Sequence, residues 1–152
     1  MPHIHEWYDF TVGFLIVHDD KVLLVNHPRY DKWLPPGGHI ELHEDPEEAL
    51  LREIEEETGL AVTILSDRLP FESPGTKSIL QPAYVDVHEA NPPHKHIGLM
   101  YFVCAKTAQA RLSDEHTDIK WFAAEELHDL RYKLSRAIIF YAEAALEKAR
   151  QT

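Results

Sequence analysis

From Gly38 to Leu60 the sequence reads GHIELHEDPEEALLREIEEETGL. Nine of these 23 residues are carboxylates, at positions 41, 44, 45, 47, 48, 53, 55, 56 and 57, set against a single arginine, Arg52. Crowding like charges raises carboxylate pKa values and costs stability. Solvation of a helix face offsets that cost, and so does a cation seated among the oxygens. Hard divalent cations such as Mg2+ prefer carboxylate oxygens, retain several waters and take phosphate oxygens of a substrate as further ligands. The acidic cluster makes chemical sense if Mg2+ and a phosphate complete it.

The local signals say how these groups are held. Asp45 suits a helix N-cap, Pro46 the first helical position, Glu48 the capping box, and Gly59 the left-handed C-terminal cap. A helix over Pro46–Thr58 follows. Glu53, Glu56 and Glu57 stand at i, i+3 and i+4, so they share a sector of about 100°. Leu50, Leu51, Ile54 and Thr58 occupy the adjoining sector and are expected to bury against a sheet, giving the carboxylate edge rigid backing. Arg52 precedes Glu53 and lies four residues before Glu56, within reach to orient a carboxylate. Taken alone, a glutamate-rich helix reads as a solvated acidic face; the pattern around it decides otherwise.

A chain of 152 residues suits one domain, 1–152, able to bury roughly 70% of its unfolded surface. The single cysteine, Cys104, sits in the apolar run GLMYFVCA and reads as a core residue of a protein in a reducing cytoplasm. The opening MPHIHEWYDF carries neither a basic nor an apolar leader region, and no apolar run approaches the roughly 20 residues that span a bilayer. A net charge of −11 argues against a nucleic-acid polymer or a membrane surface as partner. An anionic substrate would need metal cations to mediate.

Phe10–His18 and Lys21–Asn26 read as strands joined by a tight turn at Asp19-Asp20. Further strands are expected at Ala83–His88, Ile97–Ala105 and Ile119–Phe122, and helices at Ala124–Leu130 and Leu134–Arg150. Ser73-Pro74-Gly75 and Asn91-Pro92-Pro93 read as loops. Strands interleaved with helices predict an α/β (α+β) architecture, a mixed sheet with helices against it.

Gly38, Glu44, Arg52, Glu53, Ile54, Glu56, Glu57, Gly59 and Leu60 fill every specified place of a pattern that resembles the Nudix box: glycine, five residues, glutamate, seven residues, then Arg-Glu-aliphatic-x-Glu-Glu-x-Gly-aliphatic. The resemblance extends through FLIVHDDKVLLVNHPRYDKWLPPGG and IKWFAAEEL, over most of residues 10 to 130. It implies an α/β/α sandwich with a mixed central sheet and a MutT-like pyrophosphohydrolase, in which water attacks phosphorus with Mg2+ (or Mn2+ in its place) as cofactor. By the same resemblance Glu56 and Glu57 would be the main metal ligands and the carbonyl of Gly37 or Gly38 a further one. Glu53 would hold a water on the metal or act as base, and Glu44 and Arg52 would brace loop and helix. Many relatives add one acid from outside the box. Within Ser113-Asp114-Glu115-His116 the choice is Glu115, with Asp114 and Asp118 behind it.

The substrate is expected to be a small-molecule nucleotide. His96-Ile97 leading into an apolar strand, with an acid six residues before Trp121, resembles the branch that cleaves nucleoside triphosphates, oxidised purines included. ADP-ribose, nucleotide sugars and dinucleoside polyphosphates are the alternatives. Pro74 falls near but not at the place of a marker proline of ADP-ribose pyrophosphatases, and the dinucleoside polyphosphate tyrosine has no counterpart in Thr76, Lys77 or Ser78. A nucleotide-sensing module that does not cut its ligand is the reading from a different class, and the intact box argues against it. Tyr30, Trp33, Phe71 and Tyr84 are available for base stacking, although packing is the commoner fate of such side chains. Among the 11 histidines, His88, His94 and His96 raise the question of zinc. No cysteine joins them, so solvated or hydrogen-bonded imidazoles are expected, or Lys95 or a neighbouring histidine touching substrate phosphate or base. Pairing into a homodimer through the apolar face of the last helix is a further expectation.

Overall fold

The structure, a computed structural model, describes residues 7–152; the reading of the first six residues lies outside the described ones. Among the described residues eight strands form one mixed sheet: β1 (Tyr8–His18), β2 (Lys21–His27), β3 (Lys32–Leu34), β4 (Gly37–His39), β5 (Val62–Ile64), β6 (Tyr84–Asn91), β7 (His94–Ala105) and β8 (Asp118–Ala123). Two helices, α1 (Pro46–Thr58) and α2 (Arg136–Arg150), pack on it. The backbone of the sheet runs β3-β2-β1-β7-β5, with β4 on β1, β6 on β7 and β8 on β2. The β1–β7 pair is parallel, from Tyr8 opposite Lys95 to Val17 opposite Cys104, and the other pairs are antiparallel.

β1 explains the three layers. Successive side chains of a strand point to opposite faces, and here both faces are apolar: Val12, Phe14 and Ile16 pack with Ala49, Leu50 and Ile54 of α1, while Leu15 and Val17 pack with Ala142, Ala145 and Leu146 of α2. A strand covered on both sides reads as the continuous apolar run FLIV rather than as an alternation. The Asp19-Asp20 turn has φ of 46° and 59°, the two positive values that a tight type I′ hairpin needs and that aspartate tolerates.

Several expectations shift. Helix α2 begins at Arg136, capped by the Ser135 hydroxyl, which accepts from Ile138 N, and Ala124–His128 is a 3-10 turn rather than an α-helix to Leu130. β3, β4 and β5 were not anticipated: at three residues each they carry no readable periodicity. β7 starts at His94, not Ile97, so His94, Lys95 and His96 are strand residues beside β1, and Pro92-Pro93 is only the turn from β6.

The start of α1 matches its local signals. Asp45 accepts from Glu48 N, Glu48 accepts from Asp45 N, each at 2.9 Å, and Lys77 pairs with Asp45 at 2.5 Å. Asp45→Ala is expected to cost about 1 kcal/mol in urea unfolding, lowering Tm by roughly 2–4 °C. An unchanged midpoint would show that the cap contributes nothing to the fold.

Candidate functional site

Helix α1 is anchored by Ala49, Leu50 and Ile54, all buried. Leu51, expected on the same face, is half exposed, and Ala49 takes its place. At the other end Gly59 adopts φ 62° and its N–H donates to the carbonyls of Ile54 and Glu55. The last turn has no cation of its own. Arg111 supplies one from the loop before β8, its Nη2 donating to Glu55 O at 2.9 Å and its backbone N–H to Thr58 O at 2.9 Å, which favours the negative end of the helix dipole.

So held, α1 lays two carboxylates against the edge of β4. Glu53 and Glu57 are only 7% and 2% exposed. A Cβ at Gly38 would lie 2.0 Å from Glu53 Oε1, so glycine there is what lets the carboxylate rest on the strand. Gly37 N–H donates to Glu57 Oε1 at 3.2 Å. The third member of the i, i+3, i+4 set is different: the Glu56 side chain is 58% exposed, at the rim. The patch is two buried acids and one solvated one, where an accessible trio was expected.

Arg52 ties the site together. Its Nε and Nη2 donate to the two Glu44 oxygens at 2.7 and 3.1 Å, its Nη1 to Glu53 Oε1 at 2.8 Å and Glu56 Oε2 at 3.1 Å, and its Nη2 also to His39 O at 3.0 Å. The planar five-donor fork can serve so many oxygens at once where an ammonium could not. The bond from Arg52 holds the Glu44 carboxyl below its ordinary range, and that same pair raises the guanidinium further above its own. Glu53 goes the other way. Burial dominates over the Arg52 bond, and the nearby Glu57 charge adds to it, so its carboxyl is pushed up to about 7.

Glu115, the acid chosen from outside the box, does come to it. One ligand atom each from Glu57, Glu115 and His116 lies within 4.8 Å of the others. Asp114 and Asp118 are not in that group; Asp118 instead accepts from Ile119 N at the start of β8. His116 was not singled out by sequence reasoning, because a histidine in an irregular turn has no periodicity to betray its direction. Its side chain is 6% exposed, its Nε2 lies 2.7 Å from Glu57 Oε2, and its Nδ1 is buried without a hydrogen-bond partner. The His27 ring stands 6.2 Å away, its pKa lowered first by burial and then by His116. Carboxylate oxygens suit a hard cation such as Mg2+, and the partnerless His116 Nδ1 is a buried polar atom that the described contacts leave unsatisfied.

The aromatic residues mostly pack. Trp33 lies edge-on to Phe122 and Tyr132, and Tyr84 touches Phe102, Phe140 and Tyr141. Tyr30 and Phe71 remain exposed. Among the described residues no helix is long and apolar enough to cross a membrane.

The chain matches the NUDIX domain family model over residues 7–142. A NUDIX-family hydrolase from Clostridium perfringens superposes with a TM-score of 0.81 at 34% identity, covering 91% of this chain and 96% of that one. The ADP-ribose pyrophosphatase of Methanocaldococcus jannaschii is 26% identical over 134 residues, 86% of this chain and 71% of that protein. Diphosphoinositol polyphosphate phosphohydrolase 3-alpha of Mus musculus is 49% identical over 43 residues, 28% of this chain; the match spans only 26% of that relative's length.

The state of Glu53 yields a pH signature. Its pKa in the folded protein, about 7, lies above the ordinary 4.5, so folding favours the protonated acid; the cost of ionising it grows as pH rises between those values and is complete above about 7. In EDTA, Glu53→Gln is therefore expected to raise Tm relative to wild type at about pH 8, and to lose most of that advantage at about pH 5. An equal difference at both pH values would contradict the burial of an ionisable acid there.

Proposed function

The chain belongs to the Nudix family, and from that premise we propose that residues 1–152 act as one Mg2+-dependent pyrophosphohydrolase domain in the cytoplasm. Its substrate is a nucleoside diphosphate linked to another group, a nucleoside triphosphate first, with release of a monophosphate and pyrophosphate. The observation that carries the reading is the meeting of Glu57 with Glu115 and His116 within 4.8 Å, beside Glu53 and Glu56 on the same helix edge. An acid 58 residues further along the chain than Glu57 has no structural need to be there.

In this reading Glu56 and Glu57 hold the metal, with the backbone at Gly37 and Gly38 lining the same edge. When bound, divalent ions neutralise the diphosphate and lower the pKa of water. Arg52 and Glu44 keep the loop and helix in register. His116 fixes one oxygen of Glu57 through the 2.7 Å contact and leaves the other to Gly37 N–H at 3.2 Å. In the same reading two groups are candidates to take the proton of the attacking water. Glu53, pushed up to about 7, is matched to neutral pH, and Glu115 is the exposed acid of the group it forms with Glu57 and His116. ADP-ribose or a nucleotide sugar is the second substrate reading, supported by the likeness to the archaeal ADP-ribose pyrophosphatase along 86% of the chain.

Release of phosphate or pyrophosphate from nucleoside triphosphates (oxidised purines included), ADP-ribose, nucleotide sugars and dinucleoside polyphosphates is expected only with Mg2+ or Mn2+, with one class ahead in kcat/KM. Glu56→Gln, at an exposed position, should keep the wild-type Tm while kcat falls by roughly two orders of magnitude or more. Nucleotide binding without cleavage of any substrate would instead favour the sensing module.

A further inference from the structure

Histidines and an aspartate from several strands gather on the sheet face opposite the Nudix carboxylates. Gly38 faces Glu53 on the α1 side, so His39, one residue on, points to the other face. Asp9 of β1 and His96 of β7 are paired in the parallel ladder and share that face, together with His94. Asp9 Oδ2 lies 2.8 Å from His94 Nε2 and 3.4 Å from His39 Nε2. The His96 ring stands 5.1 Å from that of His39 and 5.6 Å from that of His94.

One ligand atom each from Asp9, His94 and His96 lies within 4.8 Å of the others. Around a tetrahedral Zn2+ with ligands at about 2.0–2.1 Å, donor atoms stand about 3.3 Å apart. The 2.8 and 3.4 Å pairs already bracket that spacing. We infer that Asp9, His94 and His96 form a second metal site that takes a borderline divalent cation, Zn2+ above all, with His39, 3.4 Å from Asp9 but outside that group of three, as a further donor that must move in to join it.

The donor chemistry separates the two sites. Imidazole-rich sets suit Zn2+ and its neighbours in the transition series, whereas all-oxygen sets suit Mg2+. Three protein donors stand together, and His39 would close the shell, as in structural sites, by moving toward the other two histidines. A ligand count along the sequence does not reach two of these residues, which come from elsewhere in the chain: Asp9 is 85 residues from His94, and His39 belongs to β4. His88 lies outside the donor set, its Nδ1 engaged by Asp86 at 2.7 Å and its ring 5.3 Å from that of His96. The proton now between His94 Nε2 and Asp9 leaves, or moves to Nδ1, as the cation takes its place. Because Arg52 bonds the His39 carbonyl at 3.0 Å, a cation here would pin the starts of β1 and β7 to the end of β4, the strand that carries Gly37 and Gly38.

The inference does not depend on hydrolysis and is tested by binding. Zn2+ is titrated into metal-free protein in excess Mg2+, against a chromophoric chelator, while imidazole 15N resonances are followed by NMR. One equivalent is expected to bind, shifting His39, His94 and His96 and leaving His18 and His128 in place. His94→Ala and His96→Ala should each weaken binding roughly tenfold or more, and His88→Ala should not. No uptake in excess Mg2+, uptake that survives replacement of both His94 and His96, or an equal loss in His88→Ala would overturn the site. Should the variants unfold, the wild-type resonances decide alone.

Discussion

Everything at the box edge depends on the Arg52 guanidinium. A helix that buries Glu53 and Glu57 against strand backbone puts two negative charges where water cannot reach them, and an unpaired buried charge costs several kcal/mol. Arg52 bridges Glu44, Glu53, Glu56 and the His39 carbonyl with one planar group, and Gly37 N–H and His116 serve Glu57. Compensation is still incomplete: Glu53 retains a raised pKa in spite of its arginine. A site left with surplus negative charge is one that a divalent cation stabilises, which connects the electrostatics of folding directly to the proposed chemistry.

The sheet makes two kinds of surface from one set of strands. Alternation along β1 and β7 sends apolar side chains to both helices in the middle of the sheet. Near the start of β1 and β7 the same alternation places Asp9, His94 and His96 on the α2 side, while β4 presents glycine to α1 and histidine to the other face. The parallel β1–β7 pair brings residues from distant parts of the chain side by side, so it creates the histidine cluster as well as the core.

The sequence announces α1 to the residue because its start and stop are local chemistry: Asp45, Pro46 and Glu48 at one end and Gly59 at the other. The β1–β2 hairpin was legible for the same reason, in Asp19-Asp20. What could not be read depends on contacts across the fold. β3, β4 and β5 are too short for periodicity. Burial of Glu53 and Glu57 but not Glu56 follows from where β4 lies, which the helical spacing does not tell. The family resemblance pointed to Glu115, which the fold sets near Glu57, but His116 and the Asp9–His94 contact needed the chain folded. Pro92-Pro93 masked the first three residues of β7, because prolines ahead of a strand look the same as prolines in a loop.

The most direct test of the account is a crystal structure of the protein grown with Mn2+ and a non-hydrolysable nucleotide, with anomalous data locating the metal. Manganese density in contact with Glu56 and Glu57, with Glu115 turned toward the same centre and Arg52 still on Glu44 and Glu53, is the predicted result. Ordered nucleotide with no manganese at those carboxylates would contradict the claim that Arg52 braces a cation site.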